Sequence, residues 1–345
     1  MKEIEKAHAI LKHKAEDFIV EEIGDKWHCK VSKGFVSSDI NVSGEEKDFL
    51  WCELEKKNLD HFNAIKDVSI QLEISKDDIG YAGSKDKVAW TVQRISIFKP
   101  NIEKLKKFNH EKIILKNFKW EKRKIKLGYL DSNHFIITLR NIEKKVAIKI
   151  SNQIRKVNYF SNYFGEQRFG VKNNNFEIGK LILKKKFKEA AELIFSGEVK
   201  EEEALRLIKR LNRKNLLMYV HSVQSKIFNE ILKRSLEEGL DFTKKGMENC
   251  LLVGYKSRFY NGRLGEIEQE VIKENGLSLE DFDLREISFL RMKGSYRKAL
   301  SYVRDLKIEV EDDDEFSGSK KIILDFILPS GVYATTFLEN YFYFD

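Results

Sequence analysis

An α+β fold is predicted for this chain by three observations. Period-two runs rich in β-branched and aromatic residues recur from Asp17 to about Leu139, a helical period takes over after Asn141, and the strand pattern returns near Leu306. A strand-rich start and a strand-rich end around a helical middle imply that the outer segments share one sheet and that the middle is an insertion. The expected division is 1–158 with 306–345 for the sheet domain and 159–305 for the insertion.

Taken in order, Phe18-Ile19-Val20, Phe49-Leu50-Trp51, Trp90 to Ile97 and Phe135 to Leu139 read as strands. A helix is expected to interrupt them from Asn58 to Leu72. The stretch from Lys30 to Asp48 is polar, carries Gly34 and Gly44, and reads as a long excursion or loop. Val146, Ile148, Ile150, Ile154 and Val157 suit a helix, as do Leu181 to Ile194, Glu201 to Leu211 and Val223 to Leu240. Ile308, Val310 and Ile322 to Leu328 restore the strand pattern, which stops at Pro329. The acidic run Glu311 to Glu315 reads as a solvated hairpin loop between them.

Composition narrows the class. Hydrophobic residues make up 42% and aromatics 12% of 345 residues, enough apolar material for a packed core and too much for a disordered chain. No window approaches a membrane span, and Met1 to Lys6 lacks the apolar core of a signal peptide, so a cytoplasmic protein is expected. Cys29, Cys52 and Cys250 are far apart and outside any Cys-x-x-Cys spacing, which indicates neither a disulfide framework nor a structural zinc motif. The net charge of +8, from 63 basic and 55 acidic residues, is compatible with a polyanionic partner without identifying one.

Three local clusters carry the candidate chemistry. Gly80-Tyr81-Ala82-Gly83-Ser84-Lys85-Asp86-Lys87 lies between two strand-like runs, and its flanking lysines favour an ionised Asp86. On spacing alone the same residues also suit an ordinary β-turn. Asn162 to Gly170 interleaves aromatic, polar and charged residues between glycines, a mixture suited to stacking on bases and reaching phosphates, or equally to a helix-ending loop. Leu328 to Thr336 closes a strand with a Pro-Ser-Gly turn. His-Glu-x-x-His, Gly-x-Gly-x-x-Gly and Gly-x-Ser-x-Gly are all missing, and the seven histidines are scattered, so no metal site is expected.

Jointly these clusters resemble the TruD family of tRNA pseudouridine synthases. The resemblance runs in order through most of the chain: Lys12 with Glu16-Asp17-Phe18-Ile19-Val20-Glu21-Glu22, then Lys57-Asn58, Gly80 to Lys87 with Gln93, Leu127-Gly128 with Asn133-His134-Phe135, Asn162 to Gly170, and Leu328 to Thr335. It implies a pseudouridine synthase catalytic domain on a mixed, largely antiparallel sheet, interrupted by a mainly helical TRUD insertion domain. It also implies isomerisation of uridine to pseudouridine in tRNA, by analogy at uridine 13, without a cofactor, on a base flipped out of its stack. Asp86 matches the catalytic aspartate, Lys12 a basic residue beside it, Phe135 the aromatic that stacks on the target base, and Tyr333 an aromatic across the site. Phe18 and Asn133 match positions that support the site, and Lys85, Lys87, Asn162, Gln167 and Arg168 match motif positions that serve support or RNA contact. The expected partner is tRNA, with no membrane, no obligate protein partner and a monomeric state.

Two other classes make different demands on the sequence. A non-catalytic RNA-binding protein on the same scaffold predicts a lost nucleophile, yet Asp86 is present. A metal-dependent nuclease on the run 311–315 requires a second carboxylate cluster that the sequence does not display. Departures from the family pattern are the length of the 30–48 excursion, Ser132 where Gly is common, and a short segment before Lys12.

Overall fold

The computed structural model describes residues 6–36, 40–170 and 173–344. The chain forms two compact units, Met1–Asn158 with Tyr302–Asp345, and Tyr159–Ser301. The first leg contains β1 (Ala7–Leu11), β2 (Phe18–Gly24), β3 (Trp27–His28), β4 (Phe49–Lys57), α1 (His61–Leu72), β5 (Ile79–Tyr81), β6 (Trp90–Phe98), α2 (Ile102–Lys106), β7 (Ile113–Glu121), β8 (Ser132–Ile142) and α3 (Lys144–Ile154). Next come β9 (Tyr159–Ser161), α4 (Asn175–Leu183), α5 (Phe187–Phe195), α6 (Glu201–Arg210), α7 (Arg213–Glu237), β10 (Asn249–Leu252), α8 (Arg263–Glu274), β11 (Ser295–Lys298) and β12 (Leu300–Tyr302). The closing leg is β13 (Arg304–Asp312), β14 (Lys320–Pro329), α9 (Ala334–Leu338) and β15 (Phe342–Phe344).

The first unit is built on a sheet of order β13-β14-β8-β2-β6-β4-β7, with β1, β3, β5 and β15 attached at its margins. Pairing is antiparallel except β2–β6 and β1–β15, so the sheet is mixed and largely antiparallel. Cross-strand register decides which side chains meet, because a one-residue slip would turn every side chain to the other face. Val20 opposes Phe135 and Glu22 opposes Asn133, while Leu54 opposes Gln93 and Lys56 opposes Thr91. One face therefore carries Phe18, Val20, Phe135 and Leu54 together with the polar side chains Glu22, Lys56, Thr91, Gln93 and Asn133.

Helix α1 covers the apolar part of that face. Asp60 caps it, accepting from Phe62 N and Asn63 N at 2.9 and 3.1 Å, and for that reason the helix begins at His61 rather than at Asn58. It ends where Glu73 turns left-handed (φ 53°). Ala64, Ile65, Val68 and Leu72, spaced to share one helix face, pack against Leu50, Leu54, Ile95 and Ile97. Each such side chain contributes about 1.5–3 kcal/mol, and Val68→Asp would break the layer.

The acidic run lies at the hairpin between β13 and β14 with Glu311, Asp312, Asp314 and Glu315 exposed as expected, but Asp313 is buried. Asp313 accepts from Arg140 Nη1 at 2.8 Å and from Asn141 N at 2.9 Å, and Arg140 also grips both carboxylate oxygens of Asp17 at 2.8 Å. The Arg140, Asp17 and Asp313 side chains are almost completely buried. A buried guanidinium needs that many acceptors, and the turn between β13 and β14 supplies them.

In the second unit α7 is the central helix, its Leu216, Val220, Val223, Ile227 and Ile231 buried against α4 and α8. Gly179 lets α4 approach α7 closely, since a Cβ there would fall 2.2 Å from the Tyr219 carbonyl oxygen. The single helix expected over 181–194 is two: Lys185 adopts a left-handed conformation (φ 58°) between the end of α4 at Leu183 and the start of α5 at Phe187.

Candidate active site

Asp86 sits in the loop between β5 and β6, its side chain 40% exposed. Lys12 reaches it from the end of β1, with Nζ 2.7 Å from Asp86 Oδ2. The chain leaves β1 at Lys12 in the left-handed region (φ 60°), a conformation that costs a side-chain-bearing residue about 1–2 kcal/mol. The Lys12 ammonium also stands 4.1 Å from the Phe18 ring centroid, where the ring face holds a cation in place. Phe18 meets Phe135 edge-on at 6.3 Å, and Phe135 stacks on Phe326 at 5.5 Å.

The loop itself is pinned at three points. Lys56 Nζ donates to the Asp86 carbonyl at 2.5 Å, Gln93 Nε2 donates to the Gly83 carbonyl at 3.0 Å, and Lys85 Nζ pairs with Glu22 Oε1 at 2.8 Å. The other oxygen of Glu22 accepts from Arg94 N at 3.0 Å. Lys56 and Gln93 are fully buried, and Lys85 is nearly so. Burial pushes the Lys56 ammonium down to about 8, partly restored by Asp86 and Asp60 and opposed by Lys85 and Lys12. His61, buried beside it, is held at about 4 by burial and by Lys56 and is uncharged at neutral pH. A carboxylate with one oxygen paired and a clamped backbone is positioned for attack or proton abstraction.

The expected site residues divide accordingly. Asp86, Lys12, Phe18 and Phe135 form one contiguous chain of contacts. The Phe135 ring, expected to stack on a base, is only 6% exposed and lies against Phe326 and Phe18. Asn133 shares the face of Phe135, and its Oδ1 is a buried acceptor without a partner among the described residues. Tyr333 is 42% exposed and precedes α9, beyond the turn that leaves β14 beside Asn133. Lys85 spends its charge on Glu22, so it holds the motif and is not free for a phosphate; Lys87 is exposed.

In the second unit, Asn162 is buried, donates to the Lys298 carbonyl at 2.9 Å and accepts from Arg297 at 2.6 Å. These bonds fasten the end of β9 to β11. Arg168 lies over the Phe164 ring at 5.3 Å, and the side chain of Gln167 lies outside the described residues.

Lys56 and Glu22 carry roles that the sequence reading did not assign. The readable signal was a charged residue at an inward position of an apolar strand: Leu50, Cys52, Leu54 and Lys56 share one face of β4.

A basic cleft of about 1070 Å³ opens in the same unit. Lys26, Lys119, Lys122, Lys124 and Lys126 line it with Trp27, Trp51 and Tyr129. It adjoins the Asp86 loop through Gly128 N, which donates to the Ala82 carbonyl at 2.8 Å. No described helix is long and apolar enough to cross a membrane.

The family model for tRNA pseudouridine synthase D (TruD) matches residues 1–210 and 244–341. "Probable tRNA pseudouridine synthase D 1" from Methanocaldococcus jannaschii is 31% identical over 96% of this chain and 95% of its own length. "Probable tRNA pseudouridine synthase D" from Methanosarcina mazei is 29% identical over 96% and 92%. A crystal structure of a Methanosarcina mazei protein described as tRNA pseudouridine synthase D (TruD) superposes with a TM-score of 0.73 at 29% identity, covering 98% of this chain and 94% of that one. With a matched model over most of its length and a mixed sheet carrying the motif residues, the chain belongs to the tRNA pseudouridine synthase D (TruD) family, a family of isomerases acting on tRNA.

Proposed function

We propose that this chain isomerises uridine to pseudouridine in tRNA, at uridine 13 of the D arm, with Asp86 as nucleophile and the target base flipped out of its stack. The observation that carries the reading is the half-exposed Asp86 carboxylate, paired through one oxygen to Lys12 at 2.7 Å on a loop clamped by Lys56, Gln93 and Lys85. Uracil leaves C1′ of its ribose, rotates, and rejoins through C5. Asp86 serves this either by a covalent adduct or by removing a ribose proton to give a glycal, and both routes need an ionised carboxylate. Lys12 engages one oxygen of that carboxylate at 2.7 Å, and the buried donors fix the backbone so that little reorganisation remains at the moment of reaction.

Extruding a base costs a few kcal/mol, which phosphate contacts in the basic cleft and stacking offset. Tyr333 is the open aromatic of the motif set, whereas Phe135 supports Phe18 from within. The unpartnered Asn133 Oδ1 suits the imide N–H of a uracil. The catalytic domain of this reading is 1–158 with the closing strands, and the helical unit is its TRUD insertion.

The test compares wild-type protein with Asp86→Asn on transcribed tRNA, reading pseudouridine at each position from carbodiimide-dependent primer-extension stops. The expected result is one stop at position 13 with wild-type protein and none with the variant. Wild-type protein that binds tRNA and leaves every uridine unmodified would overturn the reading in favour of a non-catalytic RNA-binding protein. A single stop elsewhere would overturn the position alone.

A further inference from the structure

We propose that Glu21, His28 and His134, on the sheet face opposite Asp86, form a binding site for one divalent cation of the zinc class. No spacing in the sequence announces it, because the three residues come from three strands. Glu21 on β2 opposes His134 on β8, and His28 on β3 opposes Ile23, two positions along β2. Their donor atoms all lie within 4.8 Å of one another, the one such His/Cys/Asp/Glu grouping among the described residues.

The donor geometry is that of a ligand set with an outer partner. Glu21 Oε2 is 2.9 Å from both His28 Nε2 and His134 Nδ1, while Glu21 Oε1 is occupied by Val31 N at 2.9 Å. Asp325 Oδ1 stands 2.8 Å from His134 Nε2. A proton on Nε2 directed at Asp325 leaves the Nδ1 lone pair facing Glu21, the arrangement by which an outer carboxylate orients a metal-bound imidazole. His28 Nε2 is buried and, although near the Glu21 carboxylate, is out of line for a hydrogen bond. Tetrahedral zinc with bonds of about 2.0–2.1 Å separates its ligands by roughly 3.3 Å. The two 2.9 Å separations therefore need to open by only a few tenths of an ångström.

Two imidazoles and one carboxylate favour zinc over magnesium or calcium, which prefer all-oxygen shells. The Glu21 side chain is nearly buried and that of His28 is 31% exposed, so the cation has a route in and keeps an open position toward solvent. Bound there, it would join β3, and the segment after it that donates from Val31, to the centre of the sheet. The site stands on the other face from Asp86, so it acts on this joint and not on the reaction.

The experiment uses the full chain, stripped with chelator and titrated with Zn²⁺ by calorimetry at pH 7.5, and with Co²⁺ by visible absorption. One equivalent of Zn²⁺ is expected with Kd below about 1 μM, together with a raised melting temperature and intense Co²⁺ bands of a four- or five-coordinate site. His28→Ala, at a part-exposed position, should lose binding while still melting cooperatively, and Asp325→Asn should weaken it by about 10-fold or more. Unchanged Zn²⁺ stoichiometry and affinity in His28→Ala, weak unsaturable binding by the wild type, or only the pale spectrum of hexa-aquo Co²⁺ would each overturn the site.

Discussion

Two cation–carboxylate clusters in the same sheet show how one interaction serves different ends. Around Arg140 each guanidinium nitrogen has a carboxylate partner: Asp17 is gripped through both oxygens, Asp313 takes Arg140 and Asn141 N, and the exposed Asp314 adds a further oxygen at 3.0 Å. Around Asp86, among the described residues, a single 2.7 Å bond from Lys12 engages one oxygen of a side chain that is 40% exposed. Saturation makes the first cluster a structural fastening. Incomplete saturation, on a clamped backbone, suits the second to the role proposed for it.

Substitutions sharpen that contrast. Asp86→Asn should lower turnover by about 10⁴-fold or more while leaving the chemical denaturation midpoint nearly unchanged, and parallel loss of both would break the distinction. Arg140→Met leaves two buried carboxylates uncompensated and should destabilise the first unit by about 3–5 kcal/mol, read as a lowered denaturant midpoint.

Lys56 gives a pH signature between these extremes. Its folded value of about 8 lies below the ordinary 10.5, so the unfolded chain binds that proton more tightly. The resulting loss of stability is complete below pH 8 and is regained as pH rises toward 10.5. Relative to Lys56→Met, wild-type stability should therefore increase over that window by an amount on the order of 3 kcal/mol, measured by denaturation at pH 7.5 and 10.5. A flat difference would show that Lys56 carries no such penalty.

Smaller effects follow. Lys12→Met should cost about 10- to 100-fold in turnover and no more than about 1 kcal/mol in stability, because the pair is part-exposed. Replacing Lys122 and Lys126 by Gln should weaken tRNA binding by about 10-fold and reduce the salt dependence by about one per lost phosphate contact. Turnover at saturating tRNA should stay unchanged.

The sequence made the strand–helix–strand order legible through a change of period, and Asp86 with Lys12 through ordered motifs. Lys56 escaped because only Phe49 to Trp51 of β4 declared itself, although its inward alternation continues to Lys56. The burial of Asp313 escaped because its partner Arg140 lies on β8, far along the chain, and an acidic run looks alike whether solvated or enclosed. The break between α4 and α5 escaped because Leu181 to Ile194 keeps an apolar helical face across the Lys184–Lys186 turn. The enclosure of Phe135 was likewise a matter of neighbours: Phe18 and Phe326 come from β2 and β14.

The Val303 N–H donates to the Asn158 carbonyl at 3.0 Å, closing the first unit across the point where the second begins and ends. The bond marks where a long loop closes in folding. Strand β14 pairs with β8 and β15 with β1 only after the intervening chain has been looped out, and the entropy of that closure grows with loop length. If the helical unit folds first, its ends come together and the long loop becomes a short one. Mutations that weaken the α4–α7 packing should therefore slow completion of the distant sheet, even though they touch none of its strands.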